Sequence, residues 1–353
     1  MAPSAKTDQH MCRIVRVLER NATVVVSGTK LAEELGVSRS EVWRLIEQLR
    51  HLGLPIAGHA AIGYQLEAIP DLLLPDALAP LVEQTRFGNR ANIHHFFKTA
   101  STNAEAMQAA IETGDSRAPE GSVFVAEEQT AGRGRGDHNW HSERSAGIYL
   151  TVILRPPLAP GDVLILSLAA GLAVYAAVKE VTGLEADLKW PNDLLLGKRP
   201  ESQKKFCGIL AEMSAEIMRV RHVVVGIGIN VNHARFPGEL IDRATSLRIA
   251  TGRTWSRVEV AAAVLRALDR EYAALLAGGI AGRAEIIRCF EARSSMVHGR
   301  RIRVCSANER GDNVENAKDL TGVTAGLDDH GFLLLRTENG VAPVLAGSIE
   351  LEN

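Results

Sequence analysis

The chain lacks most of the features that place a protein quickly. Its 353 residues hold four cysteines, Cys12, Cys207, Cys289 and Cys305, far apart and without a Cys-x-x-Cys pair. That argues against a disulfide framework and for reduced thiols in a cytosolic protein. Net charge is only −2, so there is no global pull toward nucleic acid or membrane, and any DNA contact needs a local patch. Residues 1–10 lack the apolar core of a secretion signal. The longest apolar run, residues 163–178, is interrupted by Ser167 and Gly171. It falls short of a bilayer span and reads as a buried helix, so a cytoplasmic protein with no membrane partner is expected. No internal repeat or low-complexity tract is present. What remains is an ordinary globular composition, 46% hydrophobic and 23% charged, in a chain long enough for two or three domains.

Three segments separate by pattern. Residues 11–20 and 29–35 have helical spacing. Gly36 ends the second helix, and Ser38 caps a third that stops at Gly53. Residues 54–66 read as two short strands around a glycine-containing turn. Helix, turn, helix and wing in that order spell a winged helix-turn-helix over residues 1–68. A connector carrying Pro75 and Pro80 follows. Residues 82–292 mix strands at 96–98, 123–127, 148–154, 188–190, 208–213 and 223–230 with helices at 103–112, 164–180 and 257–274. This is an α+β (mixed α/β) layer with a large sheet. Residues 298–353 show only strand signals, at 300–306, 322–329, 331–338 and 341–351, parted by Gly or Asp turns, and suggest a small β-barrel.

Five short stretches carry the chemistry. Gly132, Gly134 and Gly136 alternate with Arg133 and Arg135 just after a strand. Glycines allow close backbone approach, and the arginine forks suit phosphate or carboxylate, although a mobile solvated loop fits that stretch equally well. The pentad Lys189–Trp190–Pro191–Asn192–Asp193 presents an amide beside a carboxylate, able to hold a nucleotide or, through Asp193, Mg²⁺; a plain Asn-Asp turn is the simpler reading. Lys205 stands at the entrance of the next strand and could neutralise charge in acyl-phosphate chemistry, or merely be solvated. Gly226 and Gly228 weaken a buried strand that ends at Asn230, which suggests close approach by a ligand or another backbone. Ser101, Thr102 and Asn103 precede a helix, and Thr102 with Glu105 forms a capping box that explains that motif without a ligand.

In combination and order, these stretches resemble the biotin–protein ligase family, and within it the bifunctional biotin ligase/repressors. The likeness spans nearly the whole chain. It implies a class II synthetase-like biotin/lipoate ligase catalytic domain and an SH3-like C-terminal barrel. It also implies ATP and biotin as substrates with Mg²⁺, a biotinyl-5′-AMP intermediate, and transfer to a lysine of a biotin carboxyl carrier protein. Arg133, Arg135 and Lys205 would be catalytic. Biotin would meet Ser101, Thr102, Asn103, Gln129, Arg133, Gly134, Arg135 and Lys205, and the nucleotide Trp140, Lys189, Asn192, Asp193 and Asn230. The loop 129–141 would be mobile without biotin and order over it. A homodimer when biotinyl-AMP is bound is also implied.

The chain departs from the family pattern in three places. Where relatives continue the loop with a further glycine and arginine, it has Asp137 and His138. The stretch between Asp193 and Lys205 is longer, which suggests a surface loop. The tail reads Gly347–Ser–Ile–Glu–Leu351 where a glutamate usually follows the glycine. In the helix-turn-helix, Ser38, Arg39 and Arg44 are the candidate contacts to operator DNA. The helix carrying them is only weakly basic and the wing lacks Lys or Arg, which leaves a vestigial domain as the alternative. Two other functions compete: a lipoate–protein ligase, and a small-molecule-sensing regulator without catalysis.

Overall fold

The computed structural model describes residues 5–352 apart from 23, 60–61, 115–116, 137, 198–201, 218, 306–319 and 346. Asp137 and the middle of the 197–204 insertion therefore lie outside the described residues. The N-terminal unit has helices α1 (Ala5–Arg20), α2 (Gly28–Leu35) and α3 (Arg39–His51), followed by the antiparallel hairpin β1 (Ile56–His59) and β2 (Gly63–Leu66). Ser27 and Ser38 cap α2 and α3 by accepting from Lys30 N and Glu41 N, and Gly36 ends α2 at φ 67°. Val42, Leu45, Ile46 and Leu49 recur at helical spacing and close α3 over Met11, Ile14, Leu18 and Leu31.

The connector is packed rather than slack. Leu72 and Leu74 join the N-terminal core while Leu73 joins the central one, and Pro75 opens the short helix α4 (Pro75–Leu78). The central domain then runs β3 (Ile93–Phe96), α5 (Thr102–Ile111), β4 (Val123–Ala126), β5 (Gly147–Leu154), α6 (Leu164–Thr182), β6 (Asp187–Lys189), β7 (Asp193–Leu196), β8 (Lys204–Glu216), β9 (Arg219–Asn230), α7 (Leu247–Thr251) and α8 (Arg257–Glu291). Its seven strands lie in the order β3-β4-β5-β9-β8-β7-β6. Only β3 and β4 pair in parallel. Because side chains alternate across a sheet, Val123, Val125 and Val152 join the core under α6 and α8, while Phe124, Ile153 and Val224 pack against Ala106 and Ala110 of α5. The segment Pro160–Thr182 is long and apolar enough to cross a membrane, yet 72% of its window is buried in this core.

The tail adds β10 (His298–Cys305), β11 (Leu320–Leu327), β12 (Leu333–Thr337), β13 (Gly340–Val344) and β14 (Ser348–Leu351), an antiparallel sheet in the order β13-β12-β11-β10-β14. It is fastened to the central domain where buried Trp190 donates to Gly331 O at 2.9 Å, and where Asp162 meets Arg283 and His330 at 2.9 and 2.7 Å.

Several boundaries differ from the sequence reading. The first central strand is Ile93–Phe96 rather than 96–98, because Phe97 turns into the N-terminal core. Asp193 begins a strand, β7, where a turn was expected, since Trp190, Pro191 and Asn192 reverse the chain between β6 and β7. Helix α8 continues to Glu291 across a break at Gly279 (φ 51°, ψ −119°). The expected strand 341–351 is two strands, parted before Gly347, whose φ is 112°.

One buried ion pair joins these pieces. Arg257, fully buried at the start of α8, lies 2.7 Å from Glu127 at the end of β4 and donates to Gly147 O at 3.1 Å and to Asp71 O. Glu127 also accepts from Leu73 N at 2.9 Å and faces His95 Nε2 at 3.1 Å. Burial alone would push its carboxyl up, but Arg257 and His95 hold it at about 2. On its other side His95 Nδ1 meets Cys12 Sγ of α1 at 3.3 Å. Removing one partner of such a pair strands the other charge, so Glu127→Ala is expected to lower stability by about 3–5 kcal/mol in urea denaturation; a loss below about 1 kcal/mol would refute that role.

Asp8 in α1 is buried. Desolvation raises its pKa to about 6, opposed by His95 and by the Phe97 backbone N–H. A raised carboxyl contributes stability below its unfolded pKa and loses it as pH rises through about 6. Asp8→Asn should therefore raise the denaturation midpoint at pH 8 relative to the wild type, with the gap shrinking at pH 5. A gap independent of pH would contradict this.

Candidate active site

A cleft of about 470 Å³ opens on the α5 face of the sheet. On that face Gly208 of β8 pairs with Gly228 of β9, Leu210 with Gly226, and Gly226 in turn with Thr151 of β5. Three glycines thus leave a bare patch at the centre of the sheet. A Cβ on Gly228 would sit 2.6 Å from Trp140 Cε2, and one on Gly226 would fall inside the Asn103 amide. The close approach inferred from sequence is real, and the groups approaching are side chains of the site itself.

The first wall is the start of α5. Gln129 Oε1 accepts from Thr102 N at 2.8 Å, and Gln129 Nε2 donates to Ser142 Oγ at 3.0 Å. The expected capping box is absent: Ser101 is the N-cap and makes no side-chain cap, and Glu105 instead accepts from the Thr99 hydroxyl at 2.6 Å. Gln129 supplies the missing acceptor from another element, which tethers the glycine–arginine loop to the helix. Asn103 donates to Leu210 O at 3.2 Å and Glu212 Oε2 at 2.8 Å, while its Oδ1 accepts from Thr151 at 2.6 Å. Asn103 is thus held through both its amide nitrogen and its amide oxygen.

The second wall is cationic. Arg133, Arg135 and Lys205 all line the cleft. Lys205 reaches it through a β-bulge: Leu194 pairs with Cys207 but Leu195 with Lys205, so Phe206 is an extra residue. That shift of one turns Lys205 to the same side as Gly208. Its backbone N–H and C=O are taken up by Arg243 O and Thr245 N. Lys205 Nζ lies 2.6 Å from Asp193 Oδ1 without hydrogen-bond alignment, and 5.4 Å from the Trp140 ring centroid. Arg133 rests on Glu212 at 3.1 Å. Arg135 is half-buried; desolvation pulls its pKa down and Asp193 opposes this. The buried Trp140 indole N–H has no hydrogen-bond partner among the described residues. Cys207 is fully buried and its thiol is pushed up by desolvation, so it is no nucleophile.

Ten of the expected residues come together here: Ser101, Thr102, Asn103, Gln129, Arg133, Gly134, Arg135, Trp140, Asn192 and Lys205. Asn192 holds the sheet edge by donating to Ile209 O at 2.7 Å. Lys189, Asp193 and Asn230 do not line the cleft. Asn230 is buried with its amide on Thr245 O at 3.1 Å, a structural bond. Asp193 does not fit as a Mg²⁺ ligand, because its carboxylate is already neutralised by Lys205 and Arg135 stands nearby. Tyr149, which lines the cleft, and Thr151 and Glu212, which hold Asn103 and Arg133 from behind it, were missed. They carry no motif, and only the strand pairing brings them there. In α3, Arg39 is exposed, Ser38 serves as the helix cap, and Arg44 is held by Glu41 through bonds of 2.6 and 2.9 Å.

Three family models match: the biotin/lipoate A/B protein ligase family over residues 101–230, a helix-turn-helix domain over 12–65, and the biotin protein ligase C-terminal domain over 297–351. The bifunctional ligase/repressor BirA of Bacillus subtilis is 33% identical over 343 residues, covering 96% of this chain and 97% of that protein. The biotin–[acetyl-CoA-carboxylase] ligase of Mycobacterium tuberculosis is 34% identical, covering 71% of this chain and 86% of its own. Among solved structures, the Aquifex aeolicus biotin protein ligase in complex with biotin and ATP superposes with a TM-score of 0.58 at 29% identity, covering 74% of this chain and 98% of that one.

Proposed function

We infer the chemistry of the cleft from one premise: the chain belongs to the family of bifunctional biotin–protein ligase/repressors. It is a biotin–protein ligase with a helix-turn-helix domain in front. ATP and biotin are its substrates. In our reading, a carboxylate oxygen of biotin attacks the α-phosphorus of ATP, the bond to the β-phosphate breaks, and pyrophosphate leaves. A carrier-protein lysine amine then attacks the acyl carbon of biotinyl-AMP and AMP departs.

The observation that carries this reading is the grouping of Arg133, Arg135 and Lys205 in one cleft beside the uncharged wall of Ser101, Thr102 and Asn103. The wall suits a neutral polar ligand head. The cations answer the chief obstacle, which is to bring a carboxylate against a phosphate. Glu212 and Asp193 hold Arg133 and Lys205 in the cleft. Substrate oxygens would take over those positions, so the cations need little reorganisation during reaction. The unpaired Trp140 indole N–H, beside Lys205, offers a donor to the nucleotide. Mg²⁺ would arrive on the nucleotide phosphates rather than on Asp193. Loop 129–141 would close over the anhydride and keep water from it. In this reading Lys189 and Asn230 support the sheet around the nucleotide instead of touching it.

Lys205→Ala is expected to lower biotin-dependent exchange of pyrophosphate into ATP by at least ~10²-fold; near-normal exchange would remove Lys205 from the chemistry. Running the exchange with lipoate in place of biotin separates the two ligase chemistries, and a pure sensor would show neither.

For the front domain we propose binding to operator DNA through α3. Arg39 and Trp43 are exposed, and the Ser38 hydroxyl, although accepting in the cap, can still donate to a phosphate. Arg44 must first exchange Glu41 for a phosphate, and such contacts are lost as salt rises. We also propose that the chain dimerises when biotinyl-AMP is bound. A specific, salt-sensitive shift of a biotin-operon operator fragment is expected with biotinyl-AMP present, and its absence would reduce the domain to a structural role.

A further inference from the structure

Beside the cleft, three side chains converge that the ligase chemistry does not use. His141 and Glu143 follow Trp140 at the end of the glycine–arginine loop, and His233 lies just beyond β9. One donor atom from each lies within 4.8 Å of the other two. His233 is 1% exposed, and its ring stacks on Phe236 with centroids 5.1 Å apart, so it is fixed in place. Its Nε2 is 3.5 Å from Tyr149 Oη. That hydroxyl already donates to Glu143 O at 2.7 Å, so Nε2 must carry the proton of the pair. Nδ1 is then a bare lone pair, buried and without a hydrogen-bond partner among the described residues. Orphaned acceptors of this kind are costly and are normally satisfied.

We propose that His141, Glu143 and His233 form a Zn²⁺ site that pins the trailing end of the glycine–arginine loop to the segment after β9. Two imidazoles and a carboxylate are a donor set of the borderline class that Zn²⁺ favours, with water in the fourth position. His141 is half-buried and Glu143 exposed, so both can close toward the fixed His233 to reach the roughly 2.0–2.2 Å of zinc–ligand bonds. The carboxylate offsets part of the cation's charge. Because His141 is the residue after Trp140, an ion here would restrain the indole that sits over Gly228 beside Lys205. Zinc would then set how readily the loop releases from the cleft. The binding claim stands without the ligase reading, and only this consequence depends on it.

The test is Zn²⁺ uptake by chelator-stripped, tag-free full-length protein, measured by competition with a chromophoric chelator, with Co²⁺ absorption as a second probe. One equivalent is expected to bind. His141→Ala should weaken binding at least tenfold and abolish the Co²⁺ visible band. Glu143→Gln, a substitution at an exposed position, should weaken it as well. Cys12→Ser, which removes the thiol beside His95, should change nothing. The proposal is overturned if the wild type shows no saturable uptake, if His141→Ala binds like the wild type, or if Cys12→Ser abolishes uptake and so moves the ion to the interdomain pair.

Discussion

The structure depends on keeping one charge buried. Arg257 can be dry only because Glu127 faces it, because Gly147 O and Asp71 accept from Arg257, and because Leu73 N donates to Glu127. The residues come from four pieces: the connector, the end of β4, the start of β5 and the start of α8. None can shift alone without stranding a charge in an apolar interior. Glu127 lies two residues before Gln129, where the glycine–arginine loop begins. The loop that bears Arg133 and Arg135 is therefore rooted beside this buried ion pair.

The same root reaches the N-terminal domain by two routes. His95 carries it to Cys12 of α1. Arg144, just past the loop, holds Glu128 at 2.7 Å and donates to His51 O at the end of α3. The root of the glycine–arginine loop is thus tied by side-chain contacts to both α1 and α3 of the N-terminal domain.

The cleft itself is made by subtraction. A sheet face normally presents a side chain at every second residue. Here Gly208, Gly226 and Gly228 remove three neighbouring ones, and Trp140, Asn103 and Lys205 move into the space. Cations on the second wall are matched by Glu212 and Asp193, which limits their mutual repulsion.

By itself the sequence determined most of the central strands and helices, the winged helix-turn-helix, and the loops that face the cleft. Local rules govern those: caps at Ser38, left-handed glycine at Gly36, and period-two or helical spacing of apolar residues. The glycine–arginine loop was ambiguous alone and became readable only as one of an ordered set of motifs. The tertiary structure decided what depends on pairing between distant segments. It replaced the capping box at Thr102 with Gln129, took Asn230 out of the cleft, and gave Asp193 to Lys205. It brought Lys205 to the cleft through a one-residue bulge, and it placed Tyr149, Thr151 and Glu212 beside motif residues far away in the chain. Strand register and bulges are set by long-range hydrogen bonding, and a shift of one residue reverses which face a side chain occupies; no local pattern along the chain carries that information.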